Sequence, residues 1–446
     1  MMYKIEQLDF NISSFEYFEI IKNNDWAVYL NSNNNKYKDQ RYDILSSNPI
    51  DKIILNHSRN SHSDINKDNI FNLIEKSIKK HQCEQDDEIP FCGGAIGFIS
   101  YDFGNKIHNI QNKNNKDFEF PLVAFGIYDW CITYDYFKKE CYVLYHKKND
   151  IVDEIINYKK QYQGNKEQKT FKSTTSCESN MNYDLYKSKI SKISDYIKKG
   201  DCYQVNLSQR FSLGYEGDEY SIYKKLNKSF ASPYSVYMNY PFGNILSFSP
   251  ERFLSIKNNI VETKPIKGTR PRSDDNDIDK KNIDELRLSE KDKAENLMIV
   301  DLLRNDLGMN CKNGTINVEK LFEIETFANV HHLVSTITGV IDEKSNIYKL
   351  IKDAFPGGSI TGAPKLRSME IIEELEPDNR SIYCGSIGYI GFDQKTDLNI
   401  SIRSMLAVDS KLYFWGGGGI VNDSDIRSEY NESIAKVKPL LDTFSD

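Results

Sequence analysis

No stretch of this 446-residue chain is apolar for long enough to span a bilayer. Residues 1–10 lack the apolar run of a signal peptide. A membrane-bound or secreted protein is therefore not expected. Nor is there a basic block to offset a formal net charge of −7. That argues against nucleic acid as a partner, because affinity for phosphate backbones comes from clustered Lys and Arg. An anionic ligand must instead meet local positive groups. The eight cysteines (Cys83, Cys92, Cys131, Cys141, Cys177, Cys202, Cys311 and Cys384) include no C-x-x-C pair. In a chain this long, the pattern predicts reduced thiols and a cytoplasmic location. His331-His332 has no partner at ligand spacing, so zinc is not expected. No cysteine stands in a nucleophile-elbow context, so a glutamine-hydrolysing centre is missing. Cys384 reads as a small buried residue. There is no internal repeat of solenoid length.

What is present is enough for a large core: 39% apolar and 12% aromatic residues. The length suits two or three domains, or one composite domain. Two polar stretches punctuate the chain, an exposed loop at 105–116 and a Ser/Thr-rich stretch at 161–182. The second is read as a linker between an N-terminal part, 1–165, and a longer part, 182–446. The N-terminal part alternates apolar and polar residues around 26–30, 41–45, 95–101, 123–128 and 141–145, which predicts strands in antiparallel hairpins. Beyond the linker, a helix is expected over 183–199, closed by Gly200. Strands are expected over 203–211, 235–239, 244–248 and 252–256. A long helix over 289–307 places Leu297, Val300, Leu303 and Leu307 on one side. The charged run 273–284 has no core pattern and reads as a solvated loop able to serve as a lid. Grouped strands with helices between the groups indicate an α+β fold.

Several constellations can carry chemistry. Lys267, in Pro265-Ile266-Lys267-Gly268-Thr269-Arg270, ends an alternating stretch, where desolvation would favour its neutral amine form. Read alone, it is more readily a surface lysine beside a turn. Asp292 and Glu295 share a face of the long helix, and Glu429 and Glu432 share a face of the last one, with Lys436 a turn further. Paired carboxylates on two helices can hold Mg2+, which takes oxygen ligands and keeps open positions; exposed helix faces are the alternative. Gly416-Gly417-Gly418-Gly419 lies after a strand and before a helix, so its backbone N–H groups can approach an anion, or it is a tight turn. It matches no nucleotide-binding pattern. In the Gly-rich segment 355–365, Thr361 can donate to a carboxylate. Arg403, placed on a strand at 400–403, can clamp a carboxylate or serve a structural ion pair. Glu251, between two strands, can exchange a proton with a leaving hydroxyl.

Taken in order, these motifs resemble the chorismate-utilising enzymes. They are Tyr203-Gln204-Val205-Asn206-Leu207-Ser208-Gln209, Ser249-Pro250-Glu251-Arg252-Phe253, Pro265-Ile266-Lys267-Gly268-Thr269-Arg270-Pro271 and Asp292-Lys293-Ala294-Glu295-Asn296. Asp301-Leu302-Leu303-Arg304-Asn305-Asp306-Leu307-Gly308, the segment 355–365 and Gly417-Gly418-Gly419-Ile420-Val421 follow. The likeness runs over about 182–440. More loosely, residues 26–32 and 41–44 are similar to the family's tryptophan-binding half.

The resemblance implies a large antiparallel β-sandwich core flanked by helices, and a set of roles. Glu295 and Glu432 would bind Mg2+, supported by Asp292 and Glu429. Arg403, Thr361, Gly418, Gly419, Lys436 and Gln204 would hold the substrate. His332 would be an active-site histidine, Arg304 a structural neighbour, and Glu251 the group that protonates a departing ring hydroxyl. Anthranilate synthases resemble this chain nearly throughout but carry alanine where Lys267 stands. A lysine there implies covalent catalysis of amination at C4 of chorismate, giving 4-amino-4-deoxychorismate for 4-aminobenzoate and folate synthesis. Water-adding relatives use a lysine at the position of Gln204, and an amide cannot act as that base. Ammonia is expected from a separate glutamine amidotransferase subunit, and no lyase domain is expected after Asp446. The rivals are an anthranilate synthase large subunit and a catalytically silent protein of the same fold.

Overall fold

The structure is a computed structural model that describes residues 3–33, 41–57, 65–84, 86–111, 117–158, 171–230, 232–327 and 330–444. Among these, the strands form two antiparallel sheets of thirteen and ten strands. Both sheets draw strands from either side of the 161–182 stretch. Ala27–Asn31 pairs with Tyr234–Tyr240 in the larger sheet, and Gly94–Ile99 pairs with Ser386–Gly391 in the smaller. Within 161–182, residues 161–170 lie outside the described residues. Lys172–Ser173 and Glu178–Ser179 pair with the long strand Gln204–Glu216.

The period-two pattern shows directly in the cores. In the strand Lys411–Ile420, Tyr413 and Trp415 enter one apolar cluster while Leu412 and Phe414 enter the other. Val236 and Met238 likewise oppose Tyr237. The first cluster lies between the sheets, where Tyr240 of one meets Phe98 of the other with ring centroids 5.9 Å apart. The second covers the outer face of the larger sheet, under Tyr17 and Phe18 of the helix Ser14–Ile21 and Tyr220 and Tyr223 of Glu219–Phe230. The fold is α+β, a β-sandwich flanked by helices. Among the described residues no helix is long and apolar enough to cross a membrane.

Four local expectations need correction. Asn105, expected in an exposed loop, is buried in the helix Tyr101–Ile107 and donates to Glu373 Oε2 at 2.8 Å; residues 112–116 of that stretch lie outside the described residues. The run 273–284 is largely helical, in Asn276–Leu288. Leu286 is the residue it buries, so it has no apolar stripe to read. Capping by Asp275 and contacts of Asp279 with Arg272 and His331 hold it instead. Leu297 is 47% exposed, whereas Val300, Leu303 and Leu307 are buried as expected. Arg403 is not on a strand: it lies between Thr396–Asn399 and Ser404–Val408 with φ +53°.

The four glycines are also not a turn, because Gly416 to Gly419 lie within the strand Lys411–Ile420, paired with Gln204–Glu216. The absent side chains of Gly416 and Gly418 admit the helix Ile426–Ala435, while Gly417 and Gly419 lie against the neighbouring strand. A Cβ on Gly416 would stand 2.1 Å from Ser433 O, whereas one on Gly418 would have 3.3 Å to its nearest neighbour. Gly416→Ala is therefore expected to destabilise the fold by about 1–3 kcal/mol or more, as overpacked sites do. Gly418→Ala should cost clearly less. Urea denaturation of both variants checks the order; equal midpoints would contradict it.

Candidate active site

The strand Ile266–Pro271 pairs with Val330–Val340, and its register shifts between Lys267 and Thr269. Gly268 takes φ +76° at this bulge. A Cβ there would meet Asp292 Cγ at 2.8 Å, so the bulge sits directly against the long helix Glu290–Gly308. Lys267 Nζ donates to Ser359 O at 3.0 Å. Burial pushes the ammonium pKa down; Glu251, Glu295 and Glu432 oppose the shift and Lys436 adds to it. Glu251 is buried between two strands, and its Oε1 has no hydrogen-bond partner. Burial pushes its carboxyl pKa up, against the pull of Lys267. Burial thus drives the amine and the carboxyl towards their neutral forms, while the charge of each holds back the other's shift.

Ser289 caps the helix Glu290–Gly308, so Asp292 and Glu295 come in its first turns. Asp425 caps Ile426–Ala435, which carries Glu429 and Glu432. Burial pushes the Glu295 carboxyl up, and Asp292 and Glu432 add to the push. Glu429 is also pushed up, first by burial and then by Glu432, although Ser424 Oγ donates to its Oε1 at 2.7 Å. Glu432 moves down: burial is outweighed by the Lys436 ammonium at 2.8 Å. Asp292 is turned aside to Arg270, 3.2 Å away.

Among the described residues no group of three or more His, Cys, Asp or Glu forms a ready-made metal cage. Mg2+ does not need one, since it keeps several waters and takes one or two carboxylates. Glu295 and Glu432, with Glu429 beside them, offer concentrated negative charge that a dication would relieve. The residues present fit Mg2+.

Gly418 forms the floor under this group: a Cβ on it would lie 3.3 Å from Glu429 Oε2, 3.6 Å from Glu432 Oε1 and 3.7 Å from Lys436 Nζ. Lys436 Nζ also donates to Gly417 O at 2.7 Å. Gly419 packs on Gln204, which is fully buried with both amide atoms unpartnered. Among the described residues no carboxylate pairs with Arg403, whose guanidinium pKa is pushed down by burial. A desolvated, unpaired guanidinium is costly and is matched best by a carboxylate. Beside it, His332 is buried; burial and then Arg403 push its pKa to about 3. The imidazole is therefore neutral, with Nδ1 2.8 Å from Thr269 Oγ1 and Nε2 unpartnered.

Thr361 differs from expectation in detail. Its hydroxyl donates to Gly357 O and Gly358 O, both at 3.2 Å, within its own turn, where Gly358 O also accepts from Thr361 N. Arg304 pairs with Asp301 at the surface. Sequence reasoning missed Ser359, which contributes a backbone carbonyl and so has no side-chain signature. It also missed Thr269, which orients His332; its place two residues from Lys267 was the available signal.

Away from this site, a cavity between the sheets is lined by Asn31, Ser32, Tyr42, Tyr234, Tyr389 and Asn399, among others. Behind it Asp43 is fully buried and accepts from Ser32 N at 2.8 Å, Ser14 Oγ at 2.6 Å and Tyr136 OH at 2.7 Å.

The profile of the chorismate binding enzymes matches residues 27–442. Aminodeoxychorismate synthase component 1 of Salmonella typhimurium is 38% identical, over 95% of this chain and 94% of that one. The Escherichia coli protein of the same name is also 38% identical, with the same coverage. The crystal structure of anthranilate synthase component I from Streptococcus pneumoniae superposes with a TM-score of 0.78 at 28% identity, covering 90% of this chain and 92% of that one. Sheets, carboxylate-bearing helices and sequence agree: this chain belongs to the chorismate-binding enzymes.

Proposed function

We propose that this enzyme aminates chorismate at C4 to 4-amino-4-deoxychorismate, feeding 4-aminobenzoate and folate synthesis. The observation that carries the reading is Lys267, a desolvated amine facing the buried carboxyl of Glu251 beside the paired-carboxylate helices. The names of the relatives at 38% identity point the same way, and "component 1" fits an enzyme that works with a second subunit. We assign that subunit as a glutamine amidotransferase supplying ammonia.

Glu295 and Glu432 would hold Mg2+, with Glu429 and Asp292 nearby, and its positive charge would offset that of a substrate carboxylate. Arg403 takes a carboxylate through its free guanidinium, while Gly418, Gly419, Thr361, Gln204 and Lys436 shape and charge the remaining wall. The neutral Lys267 Nζ bonds to C2 as the C4–O bond breaks, and the proton of Glu251 leaves with the hydroxyl as water. Ammonia then bonds to C4, the double bonds shift back, and the C2–N bond breaks to return the lysine amine. Two allylic displacements replace one direct exchange. His332, neutral and with an unpartnered Nε2, positions the ring by a hydrogen bond. Anthranilate synthase component I is the second reading, favoured by the likeness to the Streptococcus pneumoniae structure. Lys267 argues against it.

Incubated with chorismate, Mg2+ and ammonium, the protein should release 4-amino-4-deoxychorismate, and chelating the metal should stop the reaction. Lys267→Ala should lose on the order of 10³-fold in rate while still binding chorismate. Quenching the wild type under limiting ammonia should leave a chorismate-derived adduct on the Lys267 peptide. Fluorescent anthranilate as product would sink the assignment.

Protonation adds a second test. A lysine with a lowered pKa gains its reactive neutral form as pH rises, so the rate should climb on the acid side. A glutamic acid with a raised pKa loses its donated proton as pH rises, so the rate should fall on the alkaline side. The profile is then a bell, and Glu251→Gln should remove its alkaline limb from whatever rate remains. A flat profile would contradict these roles.

We further infer that the cavity near Ser32 holds tryptophan: its aromatic and aliphatic walls suit an indole, and Ser32 and Asn31 suit an amino-acid backbone. Calorimetric titration with tryptophan should give saturable heat that Ser32→Ala weakens by about tenfold, one hydrogen bond's worth. No heat from the wild-type protein would refute it.

A further inference from the structure

Cys83 and Cys92 are nine residues apart in the chain, and their Sγ atoms are 2.9 Å apart. No other pair of described cysteines is in sulfur contact. The two thiols differ in access, Cys83 half-buried and Cys92 buried. Their neighbourhood is held by contacts that do not involve sulfur. Cys83 N donates to Phe392 O, and Lys395 Nζ donates to the carbonyls of Asp86 and Ile89, on the segment between the cysteines. Cys92 O accepts from His146 Nε2 at 2.7 Å.

We propose that Cys83 and Cys92 form a redox modification site, which closes to an intramolecular disulfide by exchange with a small-molecule disulfide such as oxidised glutathione. The contact must shorten to about 2 Å, a closure of under an ångström between groups already facing each other. Cys83 is the attacking thiol. The hydrogen bond from Cys92 lowers its pKa, the Lys395 charge helps, and the reagent reaches it from solvent. Its thiolate bonds to one sulfur of the reagent, whose S–S bond breaks and releases one glutathione thiolate. Cys92 then passes its proton to the released glutathione thiolate and attacks the Cys83 sulfur, expelling the second glutathione. The protein loses two protons and two electrons, and one oxidised glutathione becomes two reduced ones.

The site lies against the wall of the cavity near Ser32. Phe91, adjoining Cys92, packs edge-on against Tyr389 with centroids 5.3 Å apart, and Pro90 and Tyr389 both line the cavity. The disulfide would pin that wall at one end while Lys395 holds its middle.

The test treats the folded full-length protein with oxidised glutathione, blocks free thiols and maps the peptides by mass. The wild type should lose two hydrogens across the peptides bearing Cys83 and Cys92, reversibly with dithiothreitol. In Cys92→Ser, glutathione should stay attached to Cys83, because no thiol remains to displace it. In Cys83→Ser, Cys92 should remain a free thiol. Free cysteine added to each sample and recovered as its glutathione mixed disulfide reports that the reagent worked. A wild-type protein with both Cys83 and Cys92 still free, in a sample where the added cysteine is glutathionylated, would overturn the proposal. So would a stable glutathione adduct on wild-type Cys83. The wild-type result decides the matter even if a variant fails to fold.

Discussion

More charge is gathered at this site than the protein neutralises by itself. The carboxyls of Glu251, Glu295 and Glu429 are pushed towards protonation, Lys267 towards its free amine, and the Arg403 guanidinium has no carboxylate beside it among the described residues. Each group costs free energy in its charged form because water is excluded. In the function proposed, a doubly carboxylated substrate and a dication would supply what is missing: anions for Arg403 and a cation for the facing carboxylates. Binding thus completes an electrostatic arrangement that the folded chain leaves open, which is the pre-organisation that charge-developing reactions require.

The sheets make this arrangement possible by controlling approach distances. The glycine stretch lets a helix lie almost on the strand backbone, which brings Glu429, Glu432 and Lys436 over Gly418. The bulge at Gly268 does the same for the helix bearing Asp292 and Glu295, and sets Lys267 and Thr269 at their registers opposite Leu333 and His332. The chemistry stands on regular elements and tight joints, and long loops contribute little to it. Such support holds side chains to the precision that a reaction site needs.

Much of this was legible in residue order. Apolar alternation located the strands, and carboxylates three apart on two helices located the metal-binding candidates. Lys267 became informative only together with Glu251 and the helix motifs. What stayed hidden had physical reasons. The helix Asn276–Leu288 buries little but Leu286, so periodicity could not reveal it. Arg403 reaches its position through a left-handed backbone conformation that arginine does not advertise. The glycines carry one signal for a turn and for a strand grazed by a helix, and only the helix-to-strand distance separates the two. Ser359 acts through its main chain, which no side chain encodes.

The interleaving of the sheets bears on how the chain comes to be folded at all. Ile99 must find Ser386, and Val28 must find Met238, so neither sheet can close until most of the polypeptide has left the ribosome. Pairings so distant along the chain slow folding and leave strand edges open meanwhile. Emerging N-terminal strands would need sheltering from one another during synthesis, and the gene could not be split at the polar stretch into two halves that fold alone.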